Sequence, residues 1–222
     1  MPTSADPSGP PTGRRERNKH DKRERILDAA TRLFAARGFS AVTTGEIAEA
    51  ADIGAGTLFR YVHTKAELLL LVINEQLRLG TDAGLARAVA GGSATDAILE
   101  LLAPLARTSL GHPENAVIYQ RETLFGADGP NRARAVARVG QLEDAILEIL
   151  RVCTAGQPVD TRIDLADVAH VVYSTMYMDI VRVGVGRAAA DDLPARLRRT
   201  VDLLVHGLLD PHRTTTIDAA TT

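Results

Sequence analysis

The sequence predicts an all-α chain in which a small N-terminal unit of short helices is joined to a larger helical body. Three observations carry this reading. Apolar residues recur at three- and four-residue intervals through most of the chain, as one buried helix face requires. No stretch alternates apolar and polar residues convincingly enough for a strand, and no internal repeat is found. Two T-x-x-E segments, Thr43 to Glu46 and Thr64 to Glu67, have the form of capping boxes, which begin helices.

Taken in order, Met1 to Gly13 is rich in Pro, Gly, Ser and Thr and reads as a disordered tail. Arg14 to Arg25 holds seven Lys or Arg and three acids, with no apolar residue before Ile26. It is either a solvated helix start or a phosphate-touching arm. An amphipathic helix is expected from about Lys19 to Arg37, with Ile26, Ala30, Leu33 and Phe34 on one stripe and Gly38 as the stop. Thr43 starts a second, short helix ending near Ala51. Asp52-Ile53-Gly54 is a tight turn. A third short helix runs from about Ala55 to Tyr61 and sends Leu58 inward. Thr64 starts a fourth, carrying Leu68, Leu69, Val72, Ile73 and Leu77. Further helices are expected at about 82–90, 95–109, 114–125, 131–153, 163–184 and 193–209. Pro104, Gly111 and Gly126 to Pro130 act as punctuation, and Thr154 to Thr161 as a connector. The Thr-rich end from Pro211 reads as loose.

Composition narrows the function classes. The 222 residues suffice for one large helical domain, or for a small domain and a medium one. Apolar residues make up 45%, aromatics only 4%, and Trp is absent, so the core must be built of Leu, Val, Ile and Ala. The net charge of -2 weighs against a polycation that coats nucleic acid. Its distribution is uneven. Arg14 to Glu67 holds 11 Lys or Arg against 8 acids, whereas Leu68 to the end holds 15 against 19. A mildly basic head sits on an acidic body, a balance consistent with specific DNA contact. The lone Cys153 allows no intrachain disulfide and fits a reducing compartment. The polar N-terminus lacks the apolar core of a signal peptide, and no apolar run reaches spanning length, so a cytoplasmic protein without membrane contact is expected.

The second and third helices are the informative part. Two short helices joined by a three-residue turn match a helix-turn-helix, in which one helix enters the major groove and the other crosses the backbone. Ala48, Ile53 and Leu58 supply the apolar wedge, and Ala51 and Gly54 let the turn close. Many helical hairpins share this pattern, so plain packing stays open on these grounds alone.

The segment RERILDAATRLFAARGFSAVTTGEIAEAADIGAGTLFRYVHTKAELL resembles the N-terminal domain of the TetR/AcrR family of transcriptional regulators. The matching features are Ile26-Leu27, Ala29-Ala30, Leu33-Phe34, Gly38, Thr43-Thr44, Ile47-Ala48, Ala51, Gly56 to Phe59, Tyr61, and Lys65 with Glu67-Leu68. The resemblance implies a DNA-binding domain at 14–63 and an effector-binding and dimerisation domain at 64–210, flanked by tails at 1–13 and 211–222. It implies that Thr44 donates to a phosphate, and that Gly54, Ala55 and Thr57 read bases and adjacent phosphates. Phe59 and Arg60 would face the groove, Tyr61 would pack or touch the backbone, and Lys65 would sit near a phosphate. The helix starts at Thr44 and Lys65 would offer unpaired N–H groups as well.

Some positions depart from the family pattern. Gly54 replaces a common Ser and offers no side-chain donor. Ala55 stands where a polar residue is common, Phe59 where Tyr is, and Val62 where Phe is. Three polar handles are thus missing from the reading surface. Arg60 becomes the strongest candidate for a base contact, with a phosphate contact or a free surface position as the alternatives, and the basic arm would supply part of the affinity, in part through the minor groove.

One recognition helix covers too few base pairs, so a homodimer on a palindromic operator in double-stranded DNA is implied. The family's interface would fall on 163–184 and 193–209, with one stripe through Val168, Val171, Val172, Met176 and Ile180. The second passes through Leu193, Leu197, Val201, Leu204, Val205 and Leu208. The middle helices would enclose a pocket for a small lipophilic effector, with Leu102, Leu105, Ile118, Tyr119, Phe125, Tyr173 and Tyr177 as lining candidates. Repression is implied over activation. No cofactor, metal site or catalytic residue is expected, because none of the six histidines has metal-ligand spacing and Gly184-Val185-Gly186 follows a helix, not a strand. The rival reading is a helical ligand-binding or protein-interaction module that has lost specific DNA binding.

Overall fold

The structure, a computed structural model, describes residues 13–157 and 163–209, with only the backbone described at Arg14, Arg15, Thr108, Ser109, Leu208 and Leu209. Among the described residues every regular element is a helix. They are α1 (Arg14–Arg37), α2 (Thr44–Ala50), α3 (Ala55–Leu58), α4 (Lys65–Val89), α5 (Ala94–Gly111), α6 (Pro113–Phe125), α7 (Pro130–Thr154), α8 (Leu165–Gly184) and α9 (Leu193–Leu209). Of the expected tails, only Gly13 is described; the connector is described as far as Gln157.

The short helices at the N-terminus owe their limits to local chemistry. Gly38 ends α1 at φ 76°, a left-handed value that glycine adopts freely, and its N–H bonds the Phe34 carbonyl. At Thr43 the capping box is complete: Glu46 N–H donates to Thr43 Oγ1 (3.2 Å), and Thr43 N–H donates to Glu46 Oε2 (2.8 Å). At Thr64 the pattern is looser. Its hydroxyl accepts from Glu67 N–H (3.0 Å), but the Glu67 carboxylate accepts from His63 N–H instead (2.6 Å).

Three boundaries differ from expectation. The first helix begins at Arg14, not near Lys19. Its Arg, Lys and Glu residues are strong helix formers, and Arg17 N–H closes the first turn on the Gly13 carbonyl (3.0 Å). α3 stops at Leu58, because beyond it Arg60 and Tyr61 take up three-residue bonds to Thr57 and Leu58. The expected fourth helix and the 82–90 segment are one helix, α4. Its periodicity fades where small residues replace large ones. A Cβ at Gly84 would stand 2.7 Å from the Ala97 carbonyl oxygen, so glycine there lets α5 lie close.

α4 is the central post. Leu68 to Ile73 are six consecutive buried residues, which only a helix surrounded on all sides can have. α5 and α7 flank it, α6 packs against α4, α5 and α8, and α9 packs against α5 and α8. The buried apolar residues of α1 to α3 join those of the body in one core cluster.

Both stripes expected at the dimer interface need correction. Val168, Val172, Met176 and Ile180 are buried within this single chain, as are Leu193, Leu197, Val201 and Val205. They hold α8 and α9 onto the bundle. The exposed apolar residues lie on other faces: Val171 is 42% exposed, Met178 54% and Leu203 71%. Leu204 is half-buried. Nothing is described for the Leu208 side chain.

Candidate nucleic-acid interface

α2, the turn and α3 form the expected helix-turn-helix. Ala48 and Leu58 are buried at 2% and 0% exposure, with Ile53 half-buried beside them. Ile53 N–H closes the turn on the Ala48 carbonyl (3.0 Å). Asp52 takes φ 51°, a left-handed value that Asp tolerates better than most residues. Its carboxylate accepts from Arg25 Nη1 (2.9 Å), which ties the turn to α1. Behind α2, Arg37 Nη1 donates to Glu46 Oε1 (2.7 Å). That bond, with the Thr43 bonds, pulls the Glu46 carboxyl down to about 2.

The outer face of α3 is open. Gly54, Ala55, Phe59 and Arg60 are exposed, and Thr44, Thr57 and Tyr61 are half-buried. A Cβ added to Gly54 or Gly56 would meet nothing within 4 Å. The backbone at this end is therefore bare, and a ligand surface has room to approach it. An open groove joins Thr57, Arg60 and Tyr61 to Glu16, Asn18, Lys19 and Lys22 of α1. Three cations and one acid border it. The basic segment 14–25 thus acts as part of a helix set beside α3. A helix about 10–12 Å across is wider than a minor groove of about 6 Å, so the helical form of this segment does not favour the expected minor-groove contact.

Lys65 requires a second correction. Its Nζ donates to the Phe39 carbonyl (2.9 Å) and the Val42 carbonyl (2.8 Å), and lies 4.2 Å from the centre of the Phe39 ring. The ammonium is engaged in closing the 38–43 loop rather than projecting toward a phosphate. Phe39 in turn stacks on Phe34, with ring centres 5.8 Å apart.

The seven effector candidates do not share one environment. Leu102 and Leu105 are buried core residues of α5 at 1% and 7% exposure, and Ile118 is half-buried. Tyr119 is buried, and its hydroxyl donates to Asn74 Oδ1 (3.0 Å), while Asn74 Nδ2 donates to the Asn131 carbonyl (3.2 Å). Burial pushes the Tyr119 phenol far above its ordinary value. Tyr173 and Tyr177 are half-buried neighbours, with ring centres 6.2 Å apart. Burial, aided by Tyr177 and Glu143, raises Tyr173 to about 12, so it stays a neutral donor at physiological pH. Phe125, at 82% exposure on the last turn of α6, faces solvent rather than an interior pocket.

Sequence reasoning missed the contacts that join head to body. Ser40 donates to Glu114 twice, from its N–H (2.9 Å) and its hydroxyl (2.6 Å). Asn115 Nδ2 donates to the Phe34 carbonyl (2.9 Å), beside the Gly38 N–H on the same oxygen. These partners lie 74 and 81 residues apart, and no local pattern marks them.

Known proteins place this arrangement. The family model for bacterial regulatory proteins of the tetR family matches residues 26–72, which span the second half of α1, α2, α3 and the start of α4. The HTH-type transcriptional repressor KstR of Mycolicibacterium smegmatis is 30% identical over 190 residues, covering 84% of this chain and 88% of that protein. The KstR repressor of Rhodococcus jostii is 29% identical, covering 83% of each. Among solved structures, Thermus thermophilus FadR, a TetR-family repressor in complex with lauroyl-CoA, is 27% identical. It aligns with a TM-score of 0.60, over 85% of this chain and 95% of that one. The chain therefore belongs to the TetR family of bacterial ligand-responsive transcriptional regulators.

Proposed function

We propose that this regulator is a repressor that binds a palindromic operator as a homodimer and is released by a small lipophilic effector. The observation that carries it is the open face of α3, lying beside Lys19 and Lys22 of α1, in a chain similar to KstR repressors over five-sixths of its length. Residues 14–63 form the DNA-reading head, and residues 64–210 the effector-binding and dimerising body. Arg60 is the base-reading candidate, with Gly54, Ala55, Thr57 and Phe59 in close backbone or apolar contact with the groove. Thr44 and Tyr61 lie at the margin, and phosphate contacts pass from Lys65 to Lys19 and Lys22.

Two further observations support the reading. The exposed Val171 and Met178 of α8 lie seven residues apart, two helical turns, on one face. With Leu203 of α9 they supply apolar surface that a second copy would cover. Dimerisation there sets two α3 helices side by side, and successive major grooves recur at roughly 34–36 Å. The body's core is almost wholly aliphatic, with phenols at Tyr119, Tyr173 and Tyr177, which suits an acyl or other lipophilic group. The similar FadR is described with lauroyl-CoA bound. The effector acts only through a difference in its affinity for the DNA-bound and released states.

The test is binding to the DNA upstream of the protein's own gene, with excess non-specific competitor at fixed salt. A competitor-resistant complex on a palindrome is expected, and Arg60→Ala is expected to weaken it by about 1–3 kcal/mol. A folded protein that selects no sequence from genomic fragments would instead favour a module that has lost specific DNA binding. The absent polar handles at Gly54, Ala55 and Phe59 make that outcome a concrete one.

A further inference from the structure

One cavity takes its walls from both head and body. It has a volume of about 430 Å³ and lies where α1, α4, α5 and the start of α6 meet. This size falls within the range of about 300–1,000 Å³ usual for small-molecule sites. Phe34 and Ala35 line it from α1, Ala83 from α4 and Pro104 from α5. None of the seven body residues considered above as effector contacts is among its lining.

The polar lining of this cavity is uneven: Thr31, Gln76, His112, Glu100, Arg107 and Asn115 stand among apolar residues. Glu100 and Arg107, both exposed, place one charge of each sign on the α5 wall. Neither sign prevails, so the rim does not select strongly for an ion. Asn115, 3% exposed, also lines it. Its amide nitrogen is engaged with the Phe34 carbonyl, but its Oδ1 is buried without a hydrogen-bond partner. A buried carbonyl oxygen left in this way calls for a donor. Phe34, Leu69, Val72 and Ile73 of the wall have no side-chain donor, and the polar lining residues Thr31, Gln76 and His112 make no hydrogen bond to this oxygen.

We propose that this seam binds an uncharged amphiphile, whose apolar body lies between α1 and α5 and whose hydroxyl or amide N–H donates to Asn115 Oδ1. The site takes most of its lining from the body, but none of it from the seven candidates for effector contact. It does not rest on operator binding, and it is tested without DNA.

The probe is 1-decanol, with decyl methyl ether as its donorless counterpart, titrated into the full-length protein by calorimetry and followed by thermal unfolding. Saturable binding of decanol is expected, with a rise in the unfolding midpoint and with the ether about tenfold weaker or more. Two plugs test the location from opposite walls. Ala35→Phe and Ala83→Phe change exposed residues and break no hydrogen bond, so folding is expected to be retained. Each is expected to abolish decanol binding. Tyr177→Phe, in the body, is expected to leave it unchanged. Equal affinity for alcohol and ether would overturn the role of Asn115. Binding that survives both plugs, or that is lost with Tyr177→Phe, would overturn the site, as would the absence of saturable binding.

Discussion

The inside of the head and the joint beneath it are held in different ways. Within the head, polar side chains close short loops: Thr43, Glu46 and Arg37 around α2, Arg25 on Asp52, and Lys65 on the 38–43 loop. Their partners lie between 3 and 27 residues apart. The joint that α6 makes with the head rests, among the described residues, on two pairs from its first turns, Glu114 with Ser40 and Asn115 with Phe34, 74 and 81 residues apart. A unit fixed by many short-range contacts keeps its shape when it moves. A joint with two discrete contacts has few places at which to change. A rigid reading head on a small, definite joint is what a regulator needs if a ligand in the body is to alter head spacing and leave head structure intact.

The comparison breaks most readily at the core the two regions share. Leu58, fully buried under α3, has no polar substitute. Leu58→Ala is expected to cost about 2–5 kcal/mol. Because head and body share one apolar cluster, denaturant unfolding of the wild type should be a single transition. Two separate transitions in the variant, by circular dichroism and by Tyr fluorescence, would show a head that unfolds alone and would weaken the idea of a shared core.

Next in size is Lys65. If its ammonium serves the loop, Lys65→Met keeps the stem, loses two hydrogen bonds and costs about 1–3 kcal/mol of stability. The salt dependence of DNA binding should then be unchanged. If Lys65 instead reaches a phosphate, stability is retained and the salt slope falls by about one unit. Measuring both on one variant separates the two roles. A smaller effect is expected of Thr43→Ala, which removes the N-cap hydroxyl of α2 at a cost of about 1 kcal/mol.

The sequence displays local chemistry well. Thr43 with Glu46, Gly38 after a helical stripe, and Leu58 after a tight turn each announce themselves within a few residues, so α2, the turn and the wedge are legible from the residues alone. It displays less where a choice is made by distant neighbours. The stripes on α8 and α9 show that one face is apolar, but burial by α5 to α7 rather than by a second copy is decided by packing. Lys65 shows a charge, whereas its partners are carbonyls, which every residue has. Phe125 is apolar and helical, yet exposed, because α6 ends there. Ser40, Glu114 and Asn115 carry no signal at all until α6 is folded beneath the loop.

The joint itself gives the smallest and most specific prediction. Hydrogen bonds from the Ser40 hydroxyl and N–H, together with nearby His112 and Lys65, hold the Glu114 carboxyl below its ordinary value. A carboxyl depressed in the folded state binds fewer protons there than when unfolded. Its contribution to stability is therefore complete above the unfolded value near 4.5 and is lost as pH falls through the lower folded value. Glu114→Gln keeps the shape and one acceptor oxygen but cannot titrate. The variant should be slightly less stable than the wild type at pH 7, and the gap should close between pH 5 and the acid limit of folding, about pH 3. Glu46 is also depressed, but it contributes equally in both proteins, so the difference between them isolates the joint. A gap that stays constant over that range would mean that Ser40 and Glu114 are not paired in solution, and Asn115 would then carry the polar tie from α6 to the head among the described residues.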